Sequence, residues 1–149
     1  AWMTLIFGIL LFISDKFKLE KNIEENFNFK SAIIIGIFQI LSLIPGVSRS
    51  GITITAARLL NYNRFDAAKI SFLLSIPTLG AVSIFGLADL IQSNNLQFSI
   101  LNLAAIILSF FFSLITIKYF LYFIKKFSLS IFVIYRISLG LILLALSYS

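Results

Sequence analysis

The sequence has no cysteine and no histidine. The first absence excludes disulfides and leaves the redox compartment unread. The second removes the commonest general base at neutral pH. Charge is scarce as well: 12% of the 149 residues are charged, with six acids against twelve Lys and Arg. A soluble domain of this length would need far more charge on its surface. Between Asn26 and Phe65 there is no Asp or Glu at all. What the chain has instead is apolar mass, 60% hydrophobic residues and a mean hydropathy of +1.04. The formal charge of +6 and the pI near 9.8 raise nucleic acid as a partner. The basic residues lie at the ends of apolar runs, however, which fits membrane-flanking loops better and argues against nucleic acid.

The runs define an all-α, polytopic membrane protein with one membrane domain over residues 1–149. Residues 1–14 are apolar and uncharged. A full span needs roughly 20 residues, so this stretch reads as the end of a longer transmembrane helix. The chain starts inside that run, without a Met or a basic leader-type region, and so reads as a fragment. Asp15–Lys30 reads as a solvated loop with a short surface helix. Ser31–Ile44 is apolar, but fourteen residues cover only about 21 Å of a core of about 30 Å. Ser50–Leu60 is shorter still. Residues 31–60 are therefore expected to form a re-entrant helix pair that turns at Pro45–Arg49. Irregular backbone at such depth needs protein or a wet cavity around it.

Asn63 is placed to cap the next helix, with Asp66 at its third position. Transmembrane helices are expected over 66–89, 98–122 and 129–147. Pro77 should kink the first, and its Gly80, Ala81 and Gly86 would allow close helix contact. Arg58 and Arg136 read as long side chains that snorkel toward the interface. Phe110–Phe112 reads as a lipid-facing or packing run. Lys16, Lys18, Lys21, Lys30, Arg64, Lys69, Lys118, Lys125 and Lys126 fall on one face, which should be cytoplasmic. The Asp89–Gln97 turn and the C-terminus fall on the other.

Polar groups gather in one place, Pro45-Gly46-Val47-Ser48-Arg49-Ser50-Gly51-Ile52-Thr53. A cation in apolar surroundings is costly and is usually there for a partner. Glycines beside serines let backbone N–H groups converge on an anion. A helix opening at Gly51 would aim its N-terminus at the same spot. These residues alone point to an anion site, with phosphate the favoured ligand.

The nonamer resembles the P-G-x-S-R-S-x-x-T signature of bacterial undecaprenyl-diphosphate phosphatases, the bacitracin-resistance family. Gly36-Ile37-Phe38-Gln39, Ala67–Pro77 and Ile134-Tyr135-Arg136-Ile137 resemble further elements of that family. The resemblance implies a hydrolase that converts undecaprenyl diphosphate to undecaprenyl phosphate and phosphate, recycling the cell-wall lipid carrier in the bacterial inner membrane. It also implies a fold of two inverted repeats, of which this chain resembles the second. The first repeat would supply acid–base groups, the favoured serine nucleophile and carboxylates for a divalent metal (Mg or Ca), none of which this chain carries. The partners implied are a prenyl diphosphate lipid, the bilayer and the absent N-terminal repeat; a homodimer is left open.

Within this half, Arg49 would clamp diphosphate oxygens with its planar fork and steady transition-state charge. Ser48, Ser50 and Thr53 would donate hydroxyl hydrogen bonds, and Gly51 its amide. A nucleophilic role for Ser48 or Ser50 has no base in this chain to support it. The plainer alternatives are helix capping for the serines and a tie to backbone carbonyls for Arg49. Gln39 would contact either the site or another helix. A different class of function also fits: half of a membrane transporter or lipid flippase, since inverted repeats with broken helices are transporter architecture. A Glu and His pair facing Arg49 from the other repeat would separate enzyme from transporter.

Overall fold

The structure is a computed structural model. It describes the backbone of residues 1–16, 21–92 and 96–148, and the side chains of these apart from 89–99 and 148. Among the described residues the regular elements are helices: α1 (Trp2–Lys16), α2 (Ile23–Asn26), α3 (Phe29–Ile40), α4 (Arg49–Leu59), α5 (Arg64–Gln92), α6 (Leu96–Lys126) and α7 (Ser130–Tyr148). Three stretches are long and apolar enough to cross a membrane: Arg64–Ala88, Ile100–Lys126 and Ser130–Ser147. α3, extended by a 3₁₀ turn at Leu41–Leu43, is apolar but shorter. The polar turn expected between α5 and α6 includes 93–95, outside the described residues.

α4 is the hub. Its residues Ile52 to Arg58 are all buried, and it packs against α1, α3 and α5. A helix buried all round must satisfy its own hydroxyls. Thr55 does so by donating to the Gly51 carbonyl at 2.8 Å. Ile54, Ala56 and Ala57 join Leu11, Ile35, Ala67, Ala68, Ile124, Leu129 and Val133 in one core. α1 lies along α7, where a Cβ at Gly140 would fall 2.7 Å from Leu5 Cδ2. α6 leans on α5 and α7 near its C-terminal end, with the Phe120 ring 5.5 Å from Phe72 and 5.3 Å from Phe132. Farther along α6, Phe110, Phe111 and Phe112 are exposed.

Several local expectations need correcting. α4 opens at Arg49 rather than Gly51, because Ser48 is its cap. Gly80 and Gly86 face open space, so among the described residues no helix packs on them. α5 holds Pro77 inside its span, the position at which a kink is expected. The Asn63–Asp66 arrangement is present: Asn63 Oδ1 accepts from the Asp66 amide at 2.8 Å. Asp66 Oδ2 in turn accepts from Asn63 Nδ2 at 2.8 Å and from the Ile23 amide at 3.0 Å. The cap therefore also anchors α2, the short surface helix expected in the polar connection, whose residues 21–30 are exposed apart from a half-buried Ile23.

Asp15 and Arg58 depart furthest from a solvated reading. Asp15 is buried, and its carboxylate accepts from Arg64 Nε at 2.6 Å, Arg64 Nη2 at 3.0 Å and the Leu129 amide at 3.2 Å. Arg58 does not snorkel. It is 3% exposed and donates to the carbonyls of Tyr62 and Asp15, each at 3.0 Å. Burial lowers the Arg58 guanidinium from its ordinary value, while the Asp15 charge raises it and Arg64 lowers it further. A buried charge persists only with partners, and here one carboxylate ties α1, α4, α5 and α7 together.

Candidate anion site at the head of α4

The turn before α4 follows from two residues. Pro45 fixes its own φ, and Gly46 adopts φ +93°, so Ile44–Val47 forms a type II turn closed by the Val47 amide on the Ile44 carbonyl at 3.1 Å. The Gly46 carbonyl then points to two donors, Arg136 Nη2 at 3.2 Å and Thr4 Oγ1 at 3.3 Å. Ser48 Oγ accepts from the Gly51 amide at 3.2 Å and lies 3.3 Å from Ser50 Oγ. The remaining first-turn amides of α4 have no acceptor within the helix. They add a positive end beside the Arg136 guanidinium.

Ser48, Ser50, Gly51 and Arg136 line the polar end of a cavity of about 510 Å³. Its body is apolar, formed by Leu11, Ile54, Phe120, Phe132 and Leu139. A polar patch beside a largely apolar pocket wall suits an amphiphile better than a small hydrophilic anion. From sequence Arg136 reads as a snorkelling residue, with a structural role raised by the resemblance at Tyr135-Arg136. The structure turns it inward: its Nη1 would lie 2.6 Å from a Cβ on Gly51. The signal available in the sequence was a cation deep inside an apolar span.

The other candidates divide. Arg49 faces α5, where its Nη1 donates to Thr78 Oγ1 at 3.4 Å, and it is not among the cavity's walls. Thr53 is buried beneath the turn, donating to the Arg49 carbonyl at 2.9 Å and meeting Ser71 Oγ at 2.6 Å. Gln39, on α3, does not line the cavity either. The fold thus brings Ser48, Ser50, Gly51 and Arg136 together and sets Arg49 on the opposite side of the same turn.

The sequence matches the family described as bacitracin resistance protein BacA over residues 1–142. The chain belongs to this family. An undecaprenyl-diphosphatase of Pelagibacter ubique is 54% identical over all 149 residues, which cover 58% of that protein. Those of Jannaschia sp. and Roseobacter denitrificans are 38% and 41% identical, again over the whole chain and 56% of each relative. The chain therefore spans somewhat more than half the length of the curated relatives it matches.

The divalent metal is an expectation from the resemblance alone. A hard cation needs carboxylate or carbonyl oxygens gathered at one point. Among the described residues no group of three His, Cys, Asp or Glu forms such a cage. Asp15 and Asp66 are engaged by Arg64 and by backbone amides away from the cavity. The polar end of the cavity carries hydroxyls and a guanidinium instead. These residues do not fit a divalent cation.

Proposed function

We propose that this chain supplies the phosphate-binding half of an undecaprenyl-diphosphate phosphatase in the bacterial inner membrane. The observation that carries the reading is the cavity itself. Hydroxyls, a helix N-terminus and Arg136 form its polar end, directly above an apolar channel. α3 and α4 form the re-entrant pair, with the Pro45–Arg49 turn as its tip, and α5, α6 and α7 span the bilayer.

The reaction breaks the anhydride P–O bond. Oxygen from water ends on the terminal phosphorus, and the lipid phosphate leaves with the bridging oxygen. Such transfer needs little covalent help from protein. It needs positioning and stabilisation of charge on the equatorial and leaving oxygens. Arg49 clamps the diphosphate from the α5 side of the turn. Ser48, Ser50 and the Gly51 amide hold it from the cavity side, and Arg136 fixes the turn through the Gly46 carbonyl. Thr53 sits beneath, its Ser71 partner keeping the first turn of α4 in place. A general base, a nucleophile and any metal-holding carboxylates come from the part of the longer relatives that this chain does not span.

The test is a phosphate-release assay on a prenyl diphosphate in detergent. The 149-residue chain alone should release no more phosphate than a protein-free control. A chimera in which it replaces the matching portion of the Pelagibacter relative should hydrolyse the lipid. Turnover by the isolated chain, or a folded but inert chimera, would contradict the division of labour.

A further inference from the structure

The opposite end of α4 opens into a second cavity, of about 620 Å³, which the proposed reaction does not use. Its walls carry four cations, Lys16, Arg58, Arg64 and Lys125, and one carboxylate, Asp15. That carboxylate is already committed to Arg64 and the Leu129 amide. The two lysines are pre-placed by aromatic rings: Lys16 Nζ lies 4.6 Å from the Phe12 centroid and Lys125 Nζ lies 4.3 Å from that of Phe65. Both lysines are exposed and have no ion pair among the described residues. The location matters too. The cavity gathers the N-terminus of α5, the C-terminus of α6 and the N-terminus of α7, where three apolar spans meet polar residues. In a bilayer that is headgroup depth.

We propose that this cavity binds a phosphate group, held by Lys16 and Lys125 with Arg64 behind them. The group comes either from an anionic phospholipid headgroup or from a free inorganic phosphate species. Depth and the flanking apolar helices favour the lipid.

The purified chain, in mixed phosphatidylcholine and phosphatidylglycerol nanodiscs, would be ejected and examined by native mass spectrometry. Retention of phosphatidylglycerol over phosphatidylcholine should fall about tenfold or more in Lys16→Gln/Lys125→Gln, given the attraction of each lysine to anionic lipid. Each single variant should lose part of it. Lys126→Gln removes the same charge from the same helix end, off the cavity wall, and should change little. In a second arm, inorganic pyrophosphate is titrated into the chain in zwitterionic micelles and followed by ³¹P line width. Binding there that the same pair of substitutions abolishes, without lipid preference, assigns the free species. Circular dichroism of each variant checks that helicity is kept. Absence of binding in both arms, or an equal loss in Lys126→Gln, overturns the site.

Discussion

At Gly51 a Cβ would fall 2.6 Å from Arg136 Nη1, the far end of a flexible side chain. Gly46 differs: its φ of +93° and the backbone and side chain of Thr4 beside it leave no easy accommodation. Gly51→Ala should therefore fold, displace the Arg136 guanidinium and loosen its hold on the Gly46 carbonyl. In the chimeric enzyme we expect turnover to fall by about tenfold, as for loss of a charge-assisted hydrogen bond, with little change in melting temperature. A parallel phosphate-release and thermal-denaturation series checks this; a large drop in melting temperature would make Gly51 a packing residue. The burden on Arg136 was not legible from residue type, because two cations deep in apolar runs look alike until the fold places one at the turn. Arg58 shows the same limit from the other side. Its partners, Asp15 and Tyr62, include one far away in sequence.

At the scale of elements, α4 carries both the core and the site. Ser48 caps it, whereas Ser50 is exposed and touches Ser48 through its hydroxyl. The two serines should separate experimentally. Ser48→Ala should cost about 1 kcal/mol of stability, as other lost N-caps do, together with activity. Ser50→Ala should leave stability within about 0.5 kcal/mol while lowering turnover. Urea unfolding beside kinetics distinguishes them, and equal stability losses would refute the assignment of the cap. The turn itself was readable because Pro-Gly dictates a type II geometry and Ser precedes a helical run. The start of α4 was misread, since Gly51 looks like a helix opener while Ser48 is the better cap. The pinned connection around Asn63 and Asp66 was half legible: the cap follows from spacing, but its tie to Ile23 does not.

For the whole molecule, hydropathy alone delineated the three long helices, because an apolar run of that length has few other fates. It could not show that α4 is surrounded by α1, α3 and α5, which depends on non-local packing. The one-sided distribution of Lys and Arg sets a topology that can be checked without interference, since the chain has no cysteine of its own. Single cysteines at Lys21 and Lys125 should react with an impermeant thiol reagent from the cytoplasmic side. One at Leu96 or at Asn95, the latter outside the described residues, should react from the other. Reversed labelling would mean that the whole chain is inverted. The central claim, that the turn before α4 is a diphosphate clamp, is exposed most directly at Arg49, which approaches from the α5 side of the turn rather than from the cavity wall. The most direct measurement is phosphate release from undecaprenyl diphosphate by the chimeric enzyme carrying Arg49→Ala or Arg49→Lys, with melting temperature recorded for each. The clamp predicts a loss of about a hundredfold or more for Arg49→Ala, poor rescue by Lys because the bidentate fork is gone, and unchanged folding. Near-normal turnover in folded Arg49→Ala would contradict it.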